Sequence, residues 1–400
     1  MIGSRSEATG TGWSTGGVKP ATTPHRVPAV LGITVIGAAL VWLAIAADQR
    51  WLDRHVLPSF FLPRHWYVLL YVVGRWSVVT LGGLVAVAAP RLASRLSRRL
   101  LLRMLPLALS ALLALGASEL VLRQVRLHPG EWLQPEEEPR RQADSRLGWT
   151  LVPSRIGRNA VGGRTIEYAT DAAGYRVRRI DEPVDPTRPT VVFIGESMMF
   201  GEGLAWDESI PAQVGSILHV QSANLAVHGF SSDQAYLRLE RELPHFHQPI
   251  AVVSLFMPAL FGRDLDDDRP HLGPGLVWQP ATHHARLLSL AGLLVPYRRS
   301  ETVEGGIGIT RDVLRATAAL AQSRGAAPLT LVPQFGVEEP VEEMLRRRIL
   351  DETGLPYARV EMDSAWRLPW DRHPNSRAAH VMAIAVAERL RSLDTRLPVR

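Results

Sequence analysis

The chain has 400 residues, no cysteine and a formal charge of +6. The missing thiols exclude disulfides, thiolate catalysis and cysteine-ligated zinc, while 46% hydrophobic residues and a mean hydropathy of +0.02 are high for a wholly water-soluble protein. The basicity does not point to nucleic acid: residues 1–123 hold 13 Lys+Arg against 4 Asp+Glu, whereas 124–400 hold 32 against 35 and present no net positive field to phosphates.

Three apolar runs come first in chain order. Residues 29–47 carry no charge, 66–89 only Arg75 and 104–122 only Glu119. At about 1.5 Å per residue each is long enough to cross a hydrocarbon core of about 30 Å. Residues 1–123 are therefore expected to form a membrane anchor of three transmembrane helices, not a cleaved signal peptide. Arg91, Arg95, Arg98, Arg99 and Arg103 lie between the second and third runs, whereas the first loop mixes arginines with Asp48 and Asp53. The positive-inside rule then puts the amino terminus and the second loop in the cytoplasm and everything after the third helix outside it. Arg75 and Glu119 lie 14 and 15 residues from the cytoplasmic ends of their runs. At matching depth they are placed to pair; the alternative is that Arg75 snorkels and Glu119 sits at the outer interface.

Residues 124–146, with Pro129, Pro135, Pro139 and an acidic run, read as a linker. A globular domain is expected over 147–400. Alternating runs around Gly162 and Gly163 predict a small hairpin ahead of its main part. From Thr190 strand and helix patterns alternate. Short, mostly unalternating apolar runs at 191–194, 223–227, 250–256, 329–332 and 358–362 fit strands buried on both faces. Amphipathic segments at 210–218, 233–243, 311–323, 341–353 and 375–393 fit helices, with Gly325 and Gly354 at helix ends and Pro340 at a helix start. The pattern is that of an α/β fold, a doubly wound parallel sheet whose ligands bind beyond the carboxyl ends of the strands. Ser197, in VVFIGESMMFGEGL, falls at such an end.

FIGESMMFGEG, then NLAVHGFSSDQA, then DRHPNSRAAHVMAIAVAERL follow one another along the chain. Together these blocks resemble the SGNH, or GDSL-type, hydrolase superfamily, in the family's own order. The resemblance covers residues 147–400, because the upstream LGW and YATDAAGYR segments resemble what precedes the serine block in membrane-linked members. It implies a three-layer, flavodoxin-like α/β domain and a serine hydrolase of the bacterial envelope. A serine hydroxyl is a poor nucleophile until an imidazole takes its proton and a third group holds that imidazole in the right tautomer. By the resemblance, Ser197 is the nucleophile, His373 the base and Asp371 the orienting acid. The backbone N–H groups of Ser197 and Gly229 would bind the oxyanion. Three departures accompany the match. Glu196 stands where the family has Asp, the Asp371–His373 spacing is one shorter than the common form, and Arg263-Asp264 replaces an expected Asn-Asp. Arg263 either donates to the oxyanion or marks a lost donor, and such a loss lowers rates about 100- to 1000-fold.

Other features carry paired readings. Residues 264–270, DLDDDRP, are similar to a calcium loop but lack its glycine and terminal glutamate, so a solvated loop near the site is the alternative. His245, His247, His283 and His284 have no ligand spacing and read as surface or core histidines. His228, beside Gly229, either touches substrate or packs. The insertion at 269–308 is a lid, an acyl-pocket wall, a membrane-facing patch or a packed helix. No metal or organic cofactor is expected. The expectation is a multi-pass protein of the bacterial inner membrane with an extracytoplasmic serine esterase or acyltransferase domain. Its partners would be an acylated envelope glycan or lipid, with envelope-biosynthesis proteins alongside. The competing reading is a non-catalytic, degenerate SGNH module that binds glycan or scaffolds a biosynthetic complex.

Overall fold

A computed structural model describes residues 26–57, 64–95, 98–125, 137–294 and 297–393. The chain divides into two compact units, residues 1–46 with 72–109, and residues 47–71 with 110–400. Three helices are long and apolar enough to cross a membrane, over Val27–Ala46, Arg64–Arg95 and Met104–Leu122.

The first unit contains α1 (Arg26–Ala46), most of α3 (Arg64–Arg95) and the beginning of α4 (Arg98–Leu122). Leu31, Trp42 and Leu84 stand exposed around these helices. α1 and α3 touch through Gly37 and Gly82: a Cβ on Gly37 would lie 2.6 Å from the Gly82 carbonyl oxygen. Only small residues permit that approach. Arg75 donates from Nε to the Ala44 carbonyl (2.7 Å) and from a terminal nitrogen to that of Ile45 (3.0 Å). Both carbonyls belong to the last turn of α1, where no intrahelical donor remains.

In the second unit, α2 (Gln49–His55) is capped by Asp48, which accepts the Trp51 N–H at 2.9 Å. Glu119 accepts the N–H groups of Arg286 and Leu287, each at 3.0 Å, at the start of α8 (Arg286–Leu294). The expected Arg75–Glu119 pair is thus replaced by two helix caps. Each charge is taken up by unfinished backbone ends of the sign it complements, in its own unit.

An eight-stranded sheet organises the rest, built from β3 (Arg155–Val161), β4 (Arg164–Thr170), β5 (Arg176–Val177), β6 (Thr190–Phe193), β7 (Gln221–Asn224), β8 (Pro249–Leu255), β11 (Ala327–Phe335) and β12 (Tyr357–Met362). Its order is β12-β11-β8-β6-β7-β5-β4-β3. The first five of these are parallel. Ranked along the chain they read 2-1-3-4-5 from β7 to β12, the flavodoxin-like doubly wound order. Their apolar runs are buried, Val191, Val192, Phe193, Ala251, Val252, Val253 and Leu331 each at 0–1% exposure, because helices cover both faces. α6 (Ile210–Leu218) packs with α11 (Ser376–Leu393), and α7 (Ser232–Glu242) with α9 (Ser300–Ser323).

Three features differ from the expectation. The predicted hairpin, β3–β4, is not separate: through β5, antiparallel to β7 at Arg176 and Asn224, it continues the main sheet. It thereby covers an edge of β7 that would otherwise present unpaired backbone. Residues 141–144, in the stretch expected as linker, form β1 against β2 (Gly148–Leu151); residues 126–136 of that stretch lie outside the described residues. Finally, α9 begins at Ser300, not 311. Gly305, Gly306 and Gly308 mask its first turns in the sequence because glycine opposes helix. Gly306 is nonetheless demanded by packing, since a Cβ there would sit 1.9 Å from a Leu265 methyl.

The chain leaves β6 towards β7 and returns to β8 on the other side. The crevice this reversal opens at the carboxyl ends of β6 and β8 is where such sheets bind ligands. Ser197 follows β6 directly, and Arg263 follows β8.

Candidate active site

Ser197 is the first residue of α5 (Ser197–Phe200), a single turn that starts three residues after β6 and closes at Gly201. The serine is 4% exposed. Its N–H lies in the first turn, where helix geometry provides no acceptor. Its Oγ stands 2.7 Å from His373 Nε2, and His373 Nδ1 stands 2.6 Å from Asp371 Oδ2. A carboxylate at Nδ1 keeps the ring proton there and leaves Nε2 with its lone pair towards the serine.

His373 comes from the other end of the domain. The loop between β12 and α11 folds back on itself, with the Leu368 N–H donating to the His373 carbonyl at 2.8 Å and the Asp371 N–H to the Leu368 carbonyl at 3.3 Å. Pro374 follows, and Asn375 caps α11 by accepting the Ala378 N–H at 3.0 Å. The HPN triplet is therefore a helix start that sets the imidazole at a defined distance from α11, which in turn packs on α6 beside β7.

Glu196 gives Ser197 a second partner. One carboxylate oxygen accepts the Met198 N–H at 3.0 Å and so caps α5. The other lies 2.5 Å from Ser197 Oγ and 3.2 Å from an Arg263 guanidinium nitrogen. Arg263 thus joins the cluster through Glu196. Read from the sequence as either an oxyanion donor or the mark of a lost one, it contacts this longer carboxylate, which reaches across to the end of β8. Burial, partly offset by Glu196, lowers the pKa of Arg263.

Gly229 sits in the loop after β7 with φ +76°, a conformation that disfavours any Cβ. Among the described residues no intramolecular acceptor takes its N–H. Its peptide is held from both sides. The Arg269 guanidinium donates to the Gly229 carbonyl at 2.5 Å, and the Trp149 indole N–H to the His228 carbonyl at 2.8 Å. Val227 N–H bonds the Gly195 carbonyl at 3.1 Å, tying this loop to the one that carries Ser197.

Several of these supports are invisible to motif reading. Arg176, fully buried, donates to the carbonyls of Phe200 (2.5 Å), Gly201 (2.8 Å) and Leu204 (2.7 Å), holding the turn after α5. Desolvation brings its pKa down to about 10. Tyr168 accepts the Gly203 N–H at 2.9 Å. The LGW and YATDAAGYR segments thus supply Trp149, Tyr168 and Arg176, which buttress the two site loops. An arginine between the buried Tyr175 and Val177 was the available signal. Glu202, whose N–H bonds the Ser197 carbonyl at 3.0 Å, pairs its carboxylate with His228 Nδ1. By sequence alone His228 is either a substrate contact or a packing residue. The structure gives it Glu202, an edge contact on Phe200 and a buried Nε2 with no partner among the described residues.

Electrostatics favour a charged imidazole. Burial opposes the charge on His373, but the hydrogen bond to Asp371 and the charges of Glu202, Glu196 and Asp371 outweigh it, and its pKa stands above the ordinary histidine value. Asp371 is conversely held low: burial raises it, yet the hydrogen bond and charge of His373 and the backbone N–H of Arg372 prevail.

The acidic stretch after β8 is occupied by protein contacts. Asp264 accepts from the Ser232 backbone (2.8 Å), the Ser232 hydroxyl (3.0 Å) and the Thr310 hydroxyl (3.2 Å), and burial with neighbouring Asp233 pushes its carboxyl up to about 6. Asp266 binds Arg269 and Asp267 pairs with His284. Among the described residues no group of three His, Asp or Glu side chains is arranged to hold a metal ion. A cavity of about 30 Å³, enough for a water, lies between Glu196, Ser232, Arg263 and Asp264. A wider cleft of about 890 Å³ opens past Asp264 between His271, Gln279, Tyr297, Arg299 and Thr302. It lies on the ligand side of the sheet, because α9 begins at the carboxyl edge that β11 then runs towards.

No protein-family model matches the chain, and no curated protein matches it. Solved structures similar to it include a member of the lipolytic protein G-D-S-L family from Veillonella parvula (13% identity, 52% of this chain and 99% of that one, TM-score 0.30). An acetyl xylan esterase from Butyrivibrio proteoclasticus is similar at 13% identity over 53% of this chain and 66% of that one, TM-score 0.33. A GDSL-like lipase from Bacteroides thetaiotaomicron is similar at 12% identity over 51% and 88%, TM-score 0.32. At this level it is the side-chain constellation, not the likeness, that carries the functional assignment.

Proposed function

We propose that the chain is a membrane-anchored, extracytoplasmic serine esterase or O-acyltransferase that acts on O-acyl groups of an envelope glycan or lipid. The observation that carries this reading is the relay from Ser197 Oγ through His373 to Asp371, at 2.7 and 2.6 Å. Ser197 Oγ attacks the ester carbonyl as its proton passes to His373 Nε2. The imidazolium that results is stabilised by Asp371 and by the nearby charge of Glu202. The N–H groups of Ser197 and Gly229 take the charge developing on the carbonyl oxygen. The imidazolium then protonates the departing alkoxide, leaving acyl-Ser197. In the second half His373 deprotonates either water, giving hydrolysis, or a sugar hydroxyl, giving transfer.

Glu196 and Arg263 set the resting state. When His373 is protonated, the Ser197 hydroxyl donates to Glu196 and the site is silent. Loss of the His373 proton turns the serine into its donor. Arg263 neutralises the Glu196 carboxylate, which moderates its competition for that hydroxyl. The anchor suits a substrate made or carried at the bilayer.

The full-length protein should be labelled by an activated-serine phosphonate probe, and Ser197→Ala should abolish labelling and lower esterase kcat by about 10⁶-fold. An unlabelled wild type together with full biological activity of Ser197→Ala would decide for the non-catalytic glycan-binding module. Product analysis with O-acylated glycans separates hydrolysis from transfer.

A further inference from the structure

α8, RLLSLAGLL, leaves apolar side chains exposed. Its serine, Ser289, faces the protein and donates to Asp268 at 3.3 Å. Leu288 is 65% exposed and Ala291, about one turn on, is also exposed. A surface helix of a soluble domain turns its apolar stripe to the core and its polar residues out. An exposed face that carries leucine and alanine and no polar side chain is the arrangement of an element whose neighbour is hydrocarbon.

Both ends of this segment are tied to residues that adjoin the membrane-crossing helices. At its start, Glu119, three residues before the end of α4, accepts the Arg286 and Leu287 N–H groups. Just past its end, Tyr297 bridges Val56, the Arg298 N–H donates to the His55 carbonyl at 2.8 Å, and Ser300 Oγ lies 2.9 Å from His55 Nε2. These partners belong to or follow α2, which connects α1 to α3. The rings of Trp51, His55, Tyr71 and Tyr297 stack there with centroids 4.6–5.8 Å apart. Aromatic rings gather at the headgroup level of bilayers, where a flat apolar body and a polar edge are both satisfied. Val337, 91% exposed, lies two residues from Glu339, which pairs with Arg64 at the start of α3.

We propose that α8 is an interfacial helix, bedded through Leu288 and Ala291 in the outer leaflet of the bilayer that its own chain spans. The occupant of the apolar face is lipid because the segment is hydrogen-bonded at its start to the end of the long apolar helix α4 and, just past its end, to the short helix between the other two, beside the aromatic cluster. A helix so placed buries its apolar face about 5–10 Å into the headgroup and acyl boundary.

The chain has no cysteine, so a nitroxide label reports one site without background. Leu288→Cys and, separately, Ala291→Cys are labelled in the full-length protein in phospholipid nanodiscs, with Leu112→Cys on α4 as the bilayer reference and Arg158→Cys on β3 as the water reference. Power saturation compares collisions with oxygen, which partitions into lipid, and with nickel-EDDA, which stays in water. Oxygen is expected to dominate at 288 and 291 as at 112, reversing the order seen at 158. Nickel dominance at both test sites overturns the proposal. So does protection from both reagents, which would mean a protein cover; spin–spin broadening would identify it as a second copy. Phosphonate labelling of Ser197 is independent of either outcome.

Discussion

Ionisable side chains meet two fates in this molecule. Beside the membrane-crossing helices, Arg75 and Glu119 spend their hydrogen bonds on backbone, Arg75 on carbonyls that end α1 and Glu119 on N–H groups that start α8. At the carboxyl edge of the sheet, Glu196, Glu202, Asp371, His373, His228 and Arg263 bind one another and a single hydroxyl. A charge matched to a helix end has one useful protonation state and acts as a rivet. Charges that share protons across 2.5–2.7 Å can exchange them, and chemistry needs that exchange. The contrast predicts that substitutions in the cluster change rates and pH profiles, and that substitutions at the rivets change stability alone.

The largest effect is expected from Asp371→Asn. It preserves shape but donates to His373 Nδ1 where the carboxylate accepts, which imposes the wrong tautomer and lowers kcat by about 10⁴-fold with little change in melting temperature. A loss below tenfold on an activated ester would dissolve the distinction between cluster and rivet. Next, Arg176→Met leaves the carbonyls of Phe200, Gly201 and Leu204 without their buried donor and should destabilise the domain by roughly 3 kcal/mol in urea unfolding. Unchanged stability would mean that water substitutes for the guanidinium.

The pH dependence sharpens the comparison further. On the proposed mechanism neutral His373 is the active form, and because its pKa is raised, activity should fall on acidification with a midpoint above the usual histidine value, about 6.5. Glu202→Gln removes a negative charge that favours the imidazolium. The midpoint of kcat/KM should therefore move to lower pH, so that the variant keeps a larger share of its plateau activity in acid. A midpoint that stays put would reduce the Glu202–His228 pair to a loop staple. Smallest of all, Arg75→Gln should lower stability by about 1–2 kcal/mol, read from thermal unfolding in nanodiscs, and leave the pH midpoint where it was. A displaced midpoint would show that the anchor speaks to the site.

The candidate site was partly readable from the sequence. Ser197, His373, Asp371 and Gly229 stand in local blocks whose strand-turn-helix context constrains them, and the geometry brings the first three into hydrogen-bond contact. Arg263 was legible as a departure but its partner was not, because nothing in ALFGRDL says that a glutamate one methylene longer than aspartate will meet its guanidinium. Arg176, Trp149 and Arg269 escaped for the same reason. Their roles consist in contacts 24 to 79 residues away, and no local pattern encodes a carbonyl on another loop. Depth-matching failed for Arg75 and Glu119 because it counts residues along each helix and ignores the backbone ends that compete for the charges.

The alternation of short apolar runs with amphipathic segments was enough to determine the parallel α/β core, and the length of three apolar runs was enough to determine helices able to cross a membrane. Both are periodicities, properties of neighbours in the chain, and burial on one or both sides follows from them directly. Which strand lies beside which, that a hairpin 20 residues before β6 seals the edge of β7, that the charges of two glutamates bear on the imidazole and that α8 leaves Leu288 exposed were decided by tertiary structure alone. Such facts depend on what fills the space next to a residue, and that space is occupied by parts of the chain whose distance in sequence carries no information about their distance in the fold.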